Sequence, residues 1–342
     1  MKCVRIHEHG GLEKLLYEDV PTPKIRADEV LVNIKATSLN HMDIWVRKGL
    51  PGVKFPLPLI PGVDAAGFVA EVGEAVRHVK TGDRVFVAQG ISCGHCKSCL
   101  NGSDNLCRDY VLIGEHRDGA DAEYIAMPGK NIIPLSAKIS FEEATAASLV
   151  FLTAWQMLVD KAHVQPGDDV LVVGASSGVG SAAIQVAKLF GARVIATTST
   201  DEKVAKAKNI GADEVINYNK QNVLQEVRRL TEKKGVEIVI DHVGQSVWDE
   251  CIKCLTKGGR LVTCGATSGH EAATNLRYVF YKQLQIIGST MGKKGDLITI
   301  MKFIEEGKLK AVVDRVLPLS DVKEAHRLLE EGKQFGKIVL TP

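Results

Sequence analysis

Residues 168–199 read DDVLVVGASSGVGSAAIQVAKLFGARVIATTS. An apolar run, VLVV, precedes a turn with glycines at 174, 178 and 180, and a helix-like segment then leads to a second apolar run ending at Thr198 and Ser199. Glycine lets the backbone turn sharply and approach a pyrophosphate, and the N-terminus of the following helix offers unpaired N–H groups and a positive dipole end. A glycine-rich fragment alone is weak evidence. In a strand–turn–helix context it specifies a dinucleotide-binding unit. Gly174, Ser177, Gly178, Val179 and Gly180 are therefore expected to bind cofactor.

More units of the same kind follow: EVINY (214–218), VEIVIDHVG (236–244), GGRLVTCGA (258–266) and LQIIGSTMG (284–292). Strands alternating with helices predict an α/β, doubly wound parallel sheet over 151–292. Val243, Gly265 and Ser289, within these later segments, are counted as further cofactor contacts. An acid at the end of the second strand would bind the ribose 2′-OH of NAD. The matching stretch is TTSTDEK (197–203), whose strand end is Thr198 and Ser199, with Lys203 one helical turn later. Small hydroxyls and a lysine suit a 2′-phosphate, so NADP(H) is the expected cofactor, with NAD(H) possible through Asp201.

Upstream the texture changes. EVLVNIKATSL (29–39), AAGFVAEVG (65–73) and DRVFVA (83–88) alternate with period two between Gly/Pro turns, predicting a β-rich, barrel-like unit over 1–150. FEEATAASLVFLTAWQMLV (141–159) reads as a helix, and the tail from 293 adds two helices and the strand KIVLT.

Composition excludes several classes. Net charge is +2, 45% of residues are apolar and 25% charged, as in ordinary globular proteins. No basic stripe suggests nucleic acid, no apolar run approaches a membrane span, and MKCVRIHEHGG lacks a signal-peptide core. The expectation is a cytoplasmic protein with a small-molecule substrate, no nucleic acid and no membrane.

Four of the eight cysteines fall within GISCGHCKSCLNGSDNLC (90–107), at 93, 96, 99 and 107. C-x2-C-x2-C-x7-C offers four thiolates, which suits one tetrahedral zinc with no open position, hence a structural ion per chain. The pair Cys251 and Cys254 has CxxC spacing but reads as two helix neighbours one turn apart.

These features together resemble the medium-chain dehydrogenase/reductase superfamily, the zinc alcohol dehydrogenases and quinone oxidoreductases, along essentially the whole chain. The resemblance implies a GroES-like catalytic domain, 1–150 with a structural zinc lobe near 90–110, completed by 293–342. A Rossmann domain would fill 151–292, with the active site in the cleft between. It also implies a homo-oligomer, a dimer or tetramer. The family's catalytic zinc takes three scattered ligands. Their places here hold Asn40 in SLNHMDIWVRKG and Val63 in IPGVDAAG, and the third falls near Leu149 in AASLVFLTAW. His41, Asp64 and His116 are the residues from which a nonstandard second centre could be assembled.

The zinc-free branch instead carries an Asn-x-x-Asp segment ending in Arg-x-Gly, matched by Asn40, Asp43, Arg47 and Gly49, and a Thr-Ala-Trp matched by Thr153, Ala154 and Trp155. Its phosphate-binding lysine and tyrosine correspond to Lys203 and Tyr218. The implied reaction is hydride transfer from NAD(P)H to a quinone, enone or similar activated substrate. Asn40 and Thr153 would position cofactor and substrate, and His41 would deliver a proton. Asp43 and Arg47 read as structural, paired across the turn. Two alternatives stand beside this: an alcohol/aldehyde dehydrogenase with an unconventional metal site, and a cofactor-binding protein with little catalysis.

Overall fold

The computed structural model describes residues 1–342, which form two compact units, Met1–Leu149 with Lys293–Pro342, and Val150–Gly292. In the first unit the strand Glu29–Ser38 is central. Its EVLVNIKATS sequence is buried on almost every residue, and it pairs antiparallel with Asp64–Val72 along its length. Its other edge is shared by Tyr124–Pro128 and the C-terminal strand Lys337–Thr341. Val313–Pro318 adds in parallel beyond Lys337–Thr341, while Arg84–Val87 and Ile132–Pro134 extend the opposite side, giving seven strands.

Apolar side chains from both chain ends form one core here. Val4, Ile6 and Leu15 pack with Ile44 and Val46, and with Val322, Leu328, Ile338 and Leu340. The last thirty residues are thus part of the fold that begins at residue 1. Helix His41–Lys48, which the strand-like alternation around it does not signal, starts directly after the central strand. The expected Asp43–Arg47 pair is not formed. Arg47 Nη2 instead pairs with Glu330 Oε1 at 2.5 Å, and Asp43 accepts from the backbone N–H groups of Asn40 (2.7 Å) and Gly62 (3.3 Å). A carboxylate in the first turn of a helix is satisfied locally by backbone N–H, which leaves the guanidinium at the other end of that helix free to reach a different one.

The second unit is built on six parallel strands: β1 (Asp169–Val172), β2 (Arg193–Thr198), β3 (Glu214–Asn217), β4 (Val236–Asp241), β5 (Leu255–Thr263) and β6 (Gln285–Gly288). They lie in the order β3-β2-β1-β4-β5-β6. From β1 the chain builds outward to one side and then returns to add β4 on the other. Ligands bind in such α/β sheets beside the carboxyl ends of the two strands where the order reverses. Val170, Leu171 and Val172 are completely or almost completely buried, as strands covered on both faces require. Trp155 is a core residue, edge-on to Phe190 with ring centroids 5.5 Å apart. No helix is long and apolar enough to cross a membrane.

Candidate functional site

The turn after β1 is shaped by its glycines. Gly174 has φ +70°, and a Cβ at Gly180 would lie 2.2 Å from the Gly174 carbonyl oxygen, so both positions need glycine. Ser177 caps helix α1 (Gly178–Leu189): its Oγ accepts from the Gly180 N–H at 2.8 Å. The N–H groups of Gly178 and Val179, at the head of that helix, have no acceptor inside it. The end of β2 braces the turn, with Thr197 Oγ1 accepting from Gly174 N–H (3.1 Å) and Thr197 O from Ala175 N–H (2.8 Å).

Thr198 is almost completely buried, yet its Oγ1 has no hydrogen-bond partner; the Ser289 Oγ, also buried, has none either. Buried hydroxyls are normally paired, so these two orphans fit a bound polar ligand. Tyr218 donates its N–H to Thr198 O (3.0 Å) and leaves its ring half exposed. Lys203 stands in the first turn of the helix Asp201–Asn209, which Thr200 caps. Asp201 is already engaged, accepting from Asn217 Nδ2 at 2.8 Å and Lys220 Nζ at 2.5 Å. Val243 N–H donates to the buried Asp241, and Gly265 packs against the His242 carbonyl, where a Cβ would approach to 2.9 Å. The residues read as cofactor contacts therefore gather at the carboxyl ends of these strands. One residue that sequence reasoning did not single out joins them: His242, whose Nε2 lies 2.9 Å from Ser177 Oγ.

In the first unit, the Sγ atoms of Cys93, Cys96, Cys99 and Cys107 all lie within 4.8 Å of one another. Cys96 and Cys99 are 3.5 Å apart and Cys93 and Cys99 3.9 Å. Zinc–sulfur bonds of about 2.3 Å in a tetrahedron would set these separations near 3.8 Å. Backbone N–H groups of His95 and Cys96 hold the Cys93 thiol down to about 6, whereas at Cys107 the Cys93 N–H is outweighed by burial and the neighbouring thiols, which push it up to about 11. The lobe is tied down by Lys130 Nζ on Ser92 O, and by Asn131 Nδ2 on Ala88 O and Gly90 O. This donor set fits a structural zinc. Cys251 and Cys254 are different: burial pushes both thiols well above their usual range, Cys254 to about 12, so they are protonated helix neighbours in the core.

The three places where the resemblance puts catalytic metal ligands do not fit a metal. Val63 is fully buried hydrocarbon, and Leu149 is buried. The Asn40 amide is spent: Oδ1 accepts from Lys337 Nζ (2.6 Å), and Nδ2 donates to Ser38 O (3.2 Å) and Asp64 Oδ2 (2.9 Å). Asp64 is spent as well. Its Oδ1 accepts from Leu149 N–H (3.1 Å), and its Oδ2 from Ser38 Oγ (2.8 Å), Asn40 and Lys337 Nζ (3.3 Å). His41, Asp64 and His116 do not converge as a ligand group, and the four cysteines are the one cluster of three or more such side chains that does. His41 is the first residue of its helix, while His116 Nδ1 accepts from Leu112 N–H. Thr153 is buried in the last turn of the helix Phe141–Trp155.

Two further buried carboxyls surround this cluster. Asp121 accepts from Thr37 Oγ1 (3.1 Å), and its second oxygen has no partner. Burial first, and then neighbouring negative charge, push both Asp43 and Asp121 above the usual carboxylate range. Burial pulls Lys337 down, against the attraction of Asp64 and Asp43. Lys337 and Asp121 were missed from the sequence. The available signal was a lysine opening a strand, KIVLT, whose next three residues are apolar and buried.

A Rossmann-type unit with a glycine-rich strand–helix turn and a β-rich unit with a four-thiolate lobe, in one chain, are the parts of the two-domain nucleotide-dependent oxidoreductases. The comparisons agree. Residues 26–137 match the alcohol dehydrogenase GroES-like domain and residues 178–306 the zinc-binding dehydrogenase domain. The chain is 33% identical to an NAD-dependent alcohol dehydrogenase of Saccharolobus solfataricus, over the full length of both. It is 30% identical to the human quinone oxidoreductase, covering 99% of this chain and 97% of that one. A crystal structure of an NAD-dependent alcohol dehydrogenase superposes with a TM-score of 0.96 at 50% identity, each chain covered completely. The chain belongs to the medium-chain dehydrogenase/reductase superfamily and is an oxidoreductase of that family.

Proposed function

We propose that this enzyme transfers a hydride from NADP(H) to a quinone or a conjugated double bond, uses no catalytic zinc, and carries one structural zinc in its cysteine lobe. The observation that carries this reading is the donor chemistry at Asn40, Val63 and Leu149, where hydrocarbon and a fully hydrogen-bonded amide replace metal ligands. Without a Lewis acid, the alkoxide that develops when a simple alcohol is oxidised has no cation beside it. An activated double bond spreads the incoming charge onto an oxygen that hydrogen-bond donors can stabilise.

When bound, the reduced nicotinamide supplies the hydride. The chain's own groups do the rest. Gly178 and Val179 N–H would hold the pyrophosphate, and Thr198 and Ser289 would offer their hydroxyls to the cofactor. His41 is the candidate proton donor, and Thr153 positions cofactor and substrate. Asn40 acts as a positioning residue, since both hydrogens of its amide are already given to Ser38 O and Asp64. Thr198 and Ser199 in place of an acid, with Asp201 held by Lys220 and Asn217, favour a 2′-phosphate beside Lys203. The reading includes a cytoplasmic location and, as the family resemblance implies, a homo-oligomer.

A second reading, alcohol or aldehyde oxidoreduction, is favoured by the similar proteins named NAD-dependent alcohol dehydrogenases. One experiment separates the two: initial rates with NADPH and NADH against quinones, enones, aldehydes and alcohols, alongside zinc per chain. Quinone or enone turnover at one zinc per chain is the expected result. Alcohol turnover that rises with a second equivalent of zinc would replace the first reading with the second.

A further inference from the structure

The strand order reverses between β1 and β4, which pair in parallel register with Val172 opposite Ile240. The segments that leave these two strands therefore run side by side. His242 is the first residue beyond β4 and stands over the first glycine of the turn: a Cβ at Gly174 would meet its Cε1 at 3.0 Å and its Nε2 at 3.2 Å. Its Nε2 lies 2.9 Å from Ser177 Oγ, the oxygen that already accepts from Gly180 N–H.

A hydroxyl has one hydrogen and two lone pairs. With one lone pair taken by Gly180, the Ser177 O–H is free to donate, and an unprotonated Nε2 is the acceptor beside it. Burial lowers the basicity of His242 and so favours a neutral ring, and the tautomer that carries its proton on Nδ1 leaves Nε2 to accept from Ser177. The rotor of the cap is then fixed at both ends, and with it the first turn of α1, whose Gly178 and Val179 N–H groups point out of the helix.

We propose that His242 is a positioning residue for the dinucleotide, acting through Ser177 to hold the head of α1 in the orientation that the pyrophosphate needs. This rests on the reading that the turn binds a dinucleotide. The imidazole contributes through geometry; no covalent or redox step is assigned to it.

The test is a double-mutant cycle on the full chain. His242→Ala, Ser177→Ala, the double variant and His242→Gln are titrated with NADPH, NADH and ADP-ribose by fluorescence and calorimetry, and their melting temperatures are recorded. Glutamine can place an acceptor oxygen near the lost Nε2, whereas alanine cannot. Each alanine variant is expected to weaken binding about tenfold, the size of one net hydrogen bond to a rigid site, with the loss in the cofactor KM rather than kcat. The double variant should be no weaker than the poorer single one, because the two residues act as one unit. His242→Gln should bind within about twofold of the parent. Additive losses, unchanged binding in His242→Ala, or no rescue by glutamine would each overturn the proposal while leaving the cofactor reading intact. A parent chain that binds none of the three ligands would overturn both.

Discussion

The cysteine lobe and the Asn40–Asp64–Lys337 cluster are both polar centres of the first unit, built in opposite ways. The lobe takes its four donors from fifteen consecutive residues, and they converge on a common point with sulfur separations suited to a metal. The cluster takes its members from positions 38, 40, 64 and 337, and they satisfy one another. One centre keeps its lone pairs available to an ion. The other spends them internally, so polar residues gathered in one place need not make a binding site.

The largest effect is expected at the lobe. On the proposed zinc assignment, Cys93→Ser or chelation should leave the chain without zinc and melt the loop 90–110, because a structural zinc contributes about 10 kcal/mol or more of apparent binding energy to its fold. Metal analysis with thermal melts checks this. An unchanged melting temperature at zero zinc would erase the contrast between the two centres.

Next comes Lys337→Met, which leaves Asp64 buried without its ammonium partner. Breaking a buried pair on one side costs about 3–5 kcal/mol, and adding Asp64→Asn should recover part of the loss. Urea unfolding of the single and double variants reads both. A loss below about 1 kcal/mol, the range of surface pairs, would mean that the cluster has no ionic core.

A smaller effect should appear with pH. Asp43 and Asp121 are held above the usual carboxylate range, so the folded chain keeps protons that the unfolded chain releases above about pH 4. Their contribution to unfolding free energy therefore falls as pH rises above that point, through the raised folded-state values. Asp121→Asn should flatten that slope relative to the parent in urea titrations between about pH 5 and 8. Parallel slopes would place the proton elsewhere.

The smallest change concerns specificity. Lys203→Ala should raise the KM for NADPH about tenfold, the value of one charge-assisted hydrogen bond, and leave NADH nearly unchanged. Equal losses for both cofactors would remove the 2′-phosphate assignment.

Much of this was legible in the chain itself. GASSGVG between an apolar run and a helix identified the tight strand-to-helix turn, because backbone chirality and close approach demand glycine at 174 and 180. Cysteine spacing identified the lobe, because its ligands are local. The apolar runs marked the six parallel strands, most clearly at β1, β2 and β4, which are buried along almost their whole length. Asn40 was singled out from its motif, but the partners of its amide were not legible there: they include a lysine 297 residues later in the chain. The same holds for Arg47, which reaches Glu330 rather than the nearby Asp43, and for His242, brought to Ser177 by the register of β1 with β4. Local sequence set the turn, the metal lobe and the strand pattern, since each depends on neighbours within a few residues. The tertiary structure alone decided which buried polar groups consume one another, because desolvation makes pairing obligatory while only the folded chain supplies the partner.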